Sequence, residues 1–243
     1  MNVVLIGVVS GLAGLSVGGV KLDLDHASVT RNAQPATRNA LAVGEFVEVR
    51  TSKDGRGSHA LSVAILDAAV GRVTASDRVA GTIDVLGQPV RLQRSTRYAP
   101  GLTRDGVAAA GLDARLRVSG LLAPDGSVIA TRVEAAPAGA PPLVGAPPED
   151  PAPGERFVVE GYIVGDPASG RFSIDGLAFG LEPGAGANLA PARLVRASGR
   201  TEADGRRVVE RAEVLPAPLA EPAAGERPQR PGERPARGEI GGR

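Results

Sequence analysis

The chain has no cysteine and no tryptophan, and its 243 residues include only two histidines, two tyrosines and four phenylalanines. Without cysteine it can form no disulfide bond, thiolate metal site or cysteine nucleophile. This absence does not indicate a compartment, because an exported protein need not use disulfides. With so few aromatic side chains, we expect cores of valine, leucine, isoleucine and alanine.

An excess of one charge sign is also missing. The 28 basic and 27 acidic side chains leave a net charge of +1, so no overall field attracts nucleic acid or an anionic membrane. We therefore expect no specific nucleic-acid partner. The 33 glycines and 20 prolines favour a β-rich chain with many loops over a helical one.

One hairpin pattern occurs three times along the chain. In each copy a glycine follows an apolar residue by two positions, and further apolar residues follow at five and seven positions. A glycine between two apolar alternations is typical of a tight β-hairpin turn. Recurrence at fixed spacing predicts a tandem repeat. The copies are Val17, Gly19, Leu22 and Leu24; Val85, Gly87, Val90 and Leu92; and Ile174, Gly176, Phe179 and Leu181.

The flanks of this pattern also repeat. Each copy follows a strand with a glycine and, two positions on, a β-branched residue; these glycines are Gly7, Gly71 and Gly161. The second and third copies share an ending at a constant offset of 79 residues, in which Asp125-Gly126 corresponds to Asp204-Gly205. Asp-Gly is a strong turn signal, so we expect the two endings to have the same structure.

These features predict an all-β chain of tandem small five-stranded OB-like β-barrels, because closure of a barrel removes exposed strand edges. Small β-sandwiches are the alternative. A short helical turn is expected over 105–112 in the second copy. We divide the chain into barrel repeat 1 (3–67), barrel repeat 2 (68–136), a Pro/Ala/Gly-rich linker (137–155), a divergent barrel repeat 3 (156–216) and a disordered tail (217–243).

The N-terminal residues 2–20 carry no charged side chain and in that respect resemble a signal peptide or a membrane span. However, no lysine or arginine precedes this run, and Gly7 and Gly19 are repeat positions. We therefore predict strands here and no transmembrane segment. Because a strand begins so close to Met1, we expect an export signal upstream of this chain or an internal start.

Taken together, these motifs resemble a bacterial domain-of-unknown-function family built from tandem OB-like β-barrel repeats. The motifs are the glycine-led strand, the hairpin, the strand end Ser95-Thr96-Arg97-Tyr98 and the ending Asp-Gly-x-x-x-Ala-x-x-Val. The resemblance covers about residues 3–136; the third copy departs from it, since residues 182–190 are short and glycine-rich and Val209 replaces the expected alanine. The resemblance implies an exported, cell-envelope or secreted protein of Gram-negative bacteria with no known activity, and it supplies no catalytic residues.

Candidate catalytic or metal-binding groups are few. Asp23, Asp25 and His26 could ligate a metal or share a proton, but Asp23 and Asp25 alternate with apolar residues and are expected to lie on a solvated strand face. His59 is expected to be exposed. The sequence contains no Gly-x-Ser-x-Gly elbow, phosphate loop or dinucleotide motif. We therefore predict no catalytic residues, metal site or cofactor, and no enzyme.

The second copy is rich in arginine, and a basic face on an OB-like barrel is a candidate site for an anionic polymer. Proteins that bind single strands add stacking aromatic side chains to such a face, and only one tyrosine is available here. A solvated surface is the favoured interpretation. The candidate ligand-binding residues are Arg91, Arg94, Arg97, Tyr98, Arg115 and Arg117.

Two functional hypotheses follow. The first is a non-enzymatic structural or interaction module, periplasmic or secreted, for an unknown envelope protein or polymer. The second is a protein that binds an anionic polymer, glycan or oligonucleotide through the basic face of repeat 2. The hypotheses differ in whether the arginines converge on one concave face and whether a pocket lies between the first two barrels.

Overall fold

The computed structural model describes residues 2–54, 57–109, 114–146, 148–185 and 189–216. The chain is nearly all-β, with 57% of residues in strands and 5% in helices, which confirms the predicted fold class. The described residues contain no helix that is both long and apolar enough to cross a membrane. The predicted tail, 217–243, lies outside the described residues.

The first repeat begins with the apolar N-terminal run, which forms strands as predicted. A 3₁₀ turn, Arg38–Ala40, connects its two halves. Its strands are β1 (Val3–Gly11), β2 (Leu15–Val17), β3 (Val20–Leu22), β4 (Ser28–Arg31), β5 (Gln34–Ala36), β6 (Phe46–Asp54) and β7 (Gly57–Ile65).

The second repeat contains a short helix, α1 (Arg104–Ala108), which overlaps the beginning of the region 105–112 where a helical turn was expected. The end of that region, from residue 110, lies outside the described residues. The Thr103 hydroxyl caps this helix by accepting a hydrogen bond from the Gly106 N–H. The strands of the repeat are β8 (Ala69–Asp77), β9 (Thr82–Val85), β10 (Gln88–Tyr98), β11 (Arg115–Leu122) and β12 (Val128–Ala135).

A two-residue strand, β13 (Leu143–Val144), lies in the linker, and the third repeat follows it. A 3₁₀ turn, Pro167–Ser169, separates the first two strands of the third repeat. Its strands are β14 (Arg156–Asp166), β15 (Arg171–Ile174), β16 (Leu177–Leu181), β17 (Leu194–Thr201) and β18 (Arg207–Val214).

The second and third repeats are closed five-stranded barrels within the described residues. In the second repeat β8 pairs with β9, β9 with β10, β10 in parallel with β12, β12 with β11, and β11 again with β8. The third repeat has the same order, with β16 parallel to β18. Tandem small OB-like barrels are thus confirmed over the alternative of sandwiches.

The first repeat is a variant of this barrel because its third strand is divided. A turn separates β3 from β4, and both parts follow β7 in parallel, the first through a bridge between Asp23 and His59 and the second from Ser28 to Arg31. β6 pairs with β7 and β1, and β1 pairs with β2. Strand three of the second repeat, β10, is continuous in sequence but has a register shift between Leu92 and Arg97.

The threefold hairpin pattern corresponds to three two-residue turns of one type. Both central residues have positive φ in every copy: Gly18 (60°) and Gly19 (75°), Leu86 (54°) and Gly87 (81°), and Asp175 (46°) and Gly176 (82°). Two consecutive residues with positive φ define the type I′ turn, whose twist matches that of the flanking strands. The pattern therefore reflects one turn conformation.

The shared ending, at Asp125-Gly126 and Asp204-Gly205, has the same turn structure in the second and third repeats. Two hydrogen bonds of 2.8–3.0 Å close each turn at corresponding residues. They run from Ala123 N–H to Ser127 O and from Gly126 N–H to Ala123 O, and from Glu202 N–H to Arg206 O and from Gly205 N–H to Glu202 O.

The first half of each first strand has a partner outside its own barrel. Val3–Ile6 of β1 pair in parallel with residues 156–159 of β14, so the first and third barrels share one sheet. In the second barrel, β13 of the linker pairs with Ala69 and Val70 of β8. This part of the linker therefore covers the edge of β8, where unpaired backbone groups could otherwise pair with another chain.

The cores differ in composition between repeats. Aliphatic residues fill the first two barrels, as expected. The third barrel uses aromatic residues, and its core continues without a break into the junction where all three barrels meet. All four phenylalanines belong to this cluster: Phe46, Phe157, Phe172 and Phe179.

Candidate functional site

The six predicted ligand-binding residues have different neighbours. Arg91 pairs with Asp125 at a turn of its own barrel. Arg115 donates a hydrogen bond to the Ala140 carbonyl of the linker (2.7 Å). Arg117 faces the first barrel, with its Nε 3.2 Å from Oδ2 of Asp67. Three of the six residues are therefore engaged with three different parts of the chain.

The other three candidates lie along β10. Arg94 and Arg97 are exposed, and Tyr98 is half-buried and packs against the core of the second barrel. The stem of Arg97 lies beside Gly44 of the first barrel, where a Cβ would be 3.2 Å from its Cγ. With Arg91, which is also on β10 and exposed, Arg94 and Arg97 form the exposed part of the predicted basic face.

A buried cluster of charges joins the first two barrels. Arg31, on β4, donates to Oε1 of Glu45 (2.8 Å) and to Oδ1 of Asp67 (2.7 Å). Glu45 and Asp67 are 1% and 0% exposed, respectively. Asn32 completes the cluster: its amide nitrogen donates to Oδ2 of Asp67 (2.7 Å), and its amide oxygen accepts from the Asp67 N–H (2.9 Å).

The second barrel supplies the remaining members of this cluster. The Ser119 hydroxyl donates to Oε2 of Glu45 (2.9 Å), and Arg117 pairs with Asp67. Arg132 pairs with Glu134 (2.6 Å) and donates to the Val43 carbonyl of the first barrel (3.1 Å). We call Arg31, Glu45, Asp67, Arg117, Arg132 and Glu134 the interbarrel charge cluster; its three arginines balance its three carboxylates.

Burial dominates the electrostatics of this cluster. It raises the pKa of Glu45, while Arg31 and Ser119 oppose that rise. It also raises the pKa of Asp67, against the attraction of Arg31 and Arg117 and the hydrogen bond from Asn32. Carboxyls in such surroundings are stable as ions only while their partners stay in place. The cluster therefore fixes how the first two barrels dock.

A cleft of about 630 Å³ lies above this cluster, between the first barrel and the linker. One wall is the β4–β5 hairpin, including Asn32, Gln34 and Thr37, and the other is the linker over 137–143. Arg31 and Arg117 line the cleft, but both are paired with carboxylates: they share Asp67, Arg31 also pairs with Glu45, and Arg117 also pairs with Glu134. The cleft is thus a largely apolar groove with a few polar side chains and little net charge.

The acidic and histidine residues singled out in the sequence do not form a metal site. Among the described residues, no group of three or more His, Cys, Asp or Glu side chains is placed to hold a metal ion. Oδ1 of Asp23 accepts from the Asp25 N–H (2.8 Å), as in an ordinary turn. His26 is exposed. His59 is only 34% exposed, because the bridge to Asp23 holds it on the closing seam of the barrel, so its expected exposure was wrong.

Sequence reasoning missed the residues that hold the barrels together. Glu45 and Asp67 each stand at the end of an apolar run, next to Phe46 and Leu66, and this position was the available signal. Their partner Arg31 lies on β4, 36 residues before Asp67 in the sequence.

These features define a protein of tandem small β-barrels, of which the first two are docked through buried polar contacts. Residues 6–59 and 70–134 match the family described as Domain of unknown function (DUF5666). The first two barrels are therefore tandem members of that family. No curated protein and no solved structure matched the chain.

Proposed function

We propose that this chain is a non-enzymatic interaction module, located in the cell envelope or secreted. We further propose that the cleft between the first barrel and the linker binds an extended, uncharged segment of an envelope protein. The observation that carries the proposal is the cleft between the first barrel and the linker, with a volume of about 630 Å³. The envelope or secreted location and the absence of catalysis rest on the family resemblance of the sequence.

The rigidity of the surrounding structure supports this role. The interbarrel charge cluster docks the first two barrels, and Arg115 holds the linker wall of the cleft through the Ala140 carbonyl. The pairing of β1 with β14 ties the third barrel to the first. A site built on docked, well-supported elements needs little ordering when a partner binds. The cleft is therefore suited to recognition of a partner by shape.

The chemistry of the cleft favours a neutral partner. Its arginines are already paired with Asp67, and Asn32, Gln34 and Thr37 offer uncharged hydrogen-bonding groups. Pro35 on one wall and Pro141 and Pro142 on the other lack an N–H. An extended segment would thus be held mainly by apolar contact and side-chain hydrogen bonds.

The alternative, an anionic polymer, glycan or oligonucleotide on repeat 2, has less support. Arg91, Arg115 and Arg117 have partners within the chain. Arg91, Arg94 and Arg97 are the exposed arginines of that face, and they lie together on β10 with one half-buried tyrosine, Tyr98.

Site-specific photo-crosslinking in the host cell tests the two sites against each other. A photoreactive amino acid at the exposed cleft residue Thr37 is expected to give a discrete protein adduct, whereas one at Ser95, on the exposed part of β10, is expected to give none. An adduct from Ser95 alone would support the alternative, and no adduct from either would contradict both. Cell fractionation should place the protein and its adduct in the envelope or the medium; recovery in the cytoplasm would contradict the location.

A further inference from the structure

The first strand of each barrel has an edge that pairs outside its own barrel. In the first and third barrels these edges pair with each other, residues 3–6 of β1 with residues 156–159 of β14. Counted from the shared glycines Gly7 and Gly71, the corresponding residues of the second barrel include 68–70, and there the linker strand β13 is the partner. We call this side of residues 68–70 the β8 edge. All three repeats therefore accept an additional strand at the same place.

β13 is a smaller occupant than the strands that fill the other two edges. Four residue pairs join β1 to β14, whereas two pairs join β13 to β8, Leu143 with Val70 and Val144 with Ala69. Val144 is 49% exposed. Short segments with few buried contacts open locally while the rest of the domain stays folded. β13 can therefore leave the β8 edge without unfolding of the barrel.

The space next to the β8 edge fits an extended chain. Val70 and Leu143 line the cleft of about 630 Å³, and Gln34 and Ala36 of the β4–β5 hairpin line its opposite wall. A further barrel has no room on this edge, because the hairpin of the first barrel stands across the cleft. An extended segment needs only the spacing of one strand, about 5 Å. The occupant that fits is therefore a single strand.

We propose that the β8 edge binds an extended segment of a partner protein by strand addition, and that β13 is the internal competitor that fills the edge in its absence. Strand addition gives affinity through main-chain hydrogen bonds and specificity through alternate side chains. The linker shows which chemistry the edge accepts: Leu143 and Val144 are aliphatic, and the Gly145 N–H donates to the Ala68 carbonyl (2.8 Å). The partner segment is accordingly uncharged, with two aliphatic residues followed by glycine, because φ at Gly145 is 69°.

The linker connects the β8 edge to the cleft. Leu143 belongs to the linker wall of the cleft, and Arg115 anchors that wall at the Ala140 carbonyl, ahead of β13. A partner strand on β8 releases Leu143 and so changes the wall against which a segment in the cleft would pack. The β8 edge is nevertheless a separate surface, and its binding of a strand does not require the proposed occupant of the cleft.

Disulfide capture on the full chain tests the β8 edge, because the protein has no cysteine of its own. The probe is a synthetic peptide of linker residues 140–146, Ala-Pro-Pro-Leu-Val-Gly-Ala, with cysteine at the position of Leu143. Val70→Cys places the matching thiol on β8, since directly opposed residues of antiparallel strands lie within the Cα separation that a disulfide needs. In a thiol–disulfide buffer, the amount of mixed disulfide reports how often the peptide occupies the edge.

Two variants release β13 and should increase this capture. Gly145→Pro removes the N–H that bonds to the Ala68 carbonyl, and Leu143→Asp places a charge opposite Val70. We expect at least tenfold more mixed disulfide when either change is combined with Val70→Cys than with Val70→Cys alone. A cysteine peptide with proline in place of its glycine is the matched control and should be captured no better than a scrambled peptide. Equal capture with and without release of β13, or equal capture of the matched and control peptides, would overturn the proposal.

Hydrogen exchange in the wild-type chain shows whether a partner strand displaces β13. The unmodified peptide at millimolar concentration should speed exchange of the Gly145 amide in the isotope-labelled chain, because this amide loses its bond to the Ala68 carbonyl when β13 leaves. The proline-containing peptide should leave that exchange unchanged. If the unmodified peptide also leaves it unchanged at a concentration that saturates the Gly145→Pro variant, then β13 is a fixed part of the barrel and the proposal is wrong.

Discussion

Gly71 lies beneath the side chain of Leu86, so that a Cβ on Gly71 would collide with Cγ of Leu86. The same relation joins Gly161 and Asp175 in the third barrel. Each pair links the glycine of the first strand to the first central residue of the hairpin turn. In the second and third repeats, the glycine of the first strand therefore makes room for the hairpin turn that folds over that strand.

This relation predicts a coupling between the two positions. Gly71→Ala should destabilise the second barrel by about 1–3 kcal/mol, because the added methyl group overpacks against Leu86. Adding Leu86→Gly should recover at least about 1 kcal/mol, since Gly18 occupies that turn position in the first barrel. Chemical unfolding of the two single variants and the double variant measures the coupling; strictly additive losses would contradict the relation.

The interbarrel charge cluster makes a second prediction. Arg31→Met should destabilise the protein by about 3–5 kcal/mol, because it leaves Glu45 and Asp67 buried without their main cation. Arg206→Met is the control: Arg206 pairs with Glu202 at the surface and should give no measurable change. Equal unfolding midpoints for both variants would show that the cluster does not hold the barrels.

Asp175 predicts how stability changes with pH. Its pKa is about 7 in the folded chain against an ordinary value of 3.8, so the folded state binds the proton more tightly than the unfolded state. Stability is therefore lost as pH rises from about 4 to 7, by at most roughly 4 kcal/mol at about 1.4 kcal/mol per tenfold change in proton affinity.

Asp175→Asn removes this dependence. We expect the variant to exceed the wild type in unfolding free energy at about pH 8 and to approach it at about pH 4. Glu45 and Asp67 also titrate with raised pKa values, so the difference between variant and wild type is the quantity to measure. A difference that is constant with pH would contradict the assignment.

The linker provides a prediction about proteolysis. Leu143 pairs with Val70, and the Gly145 N–H donates to the Ala68 carbonyl (2.8 Å). Elastase should therefore spare the linker of the wild type. Gly145→Pro should expose it, because proline removes this N–H and cannot adopt the φ of 69° found there. Ala138→Pro, in an exposed part of the linker, is the control; equal cleavage of wild type and Gly145→Pro would show that the strand pairing is not protective.

The sequence predicted the features that depend on the backbone conformation of a few neighbouring residues. Gly19, Gly87 and Gly176 identified the turns because positive φ restricts the choice of residue. For the same reason, the correspondence of Asp125 with Asp204 predicted that the second and third repeats end in the same turn. Leu116 and Val118 alternate with Arg115 and Arg117 in the sequence, as is typical of a half-buried strand, and both apolar residues are buried on β11.

Docking between repeats could not be predicted in this way. The pairing of Val3 with Arg156 joins residues far apart in sequence, and nothing in either strand distinguishes an edge that pairs with another barrel from one that stays open. Arg117 illustrates the same limit. Its position between the apolar residues Leu116 and Val118 is typical of an outward side chain, but Asp67 of the first barrel covers that side.

Binding to single-stranded nucleic acid provides the last prediction. We expect no more than nonspecific affinity for a labelled oligonucleotide at physiological salt, measured by fluorescence anisotropy. Stacking contributes about 1–3 kcal/mol per base in proteins that bind single strands, and the second barrel offers only the half-buried Tyr98 for this purpose. Submicromolar binding that is lost when Arg91, Arg94 and Arg97 are all changed to alanine would instead establish the basic face of repeat 2 as the binding site.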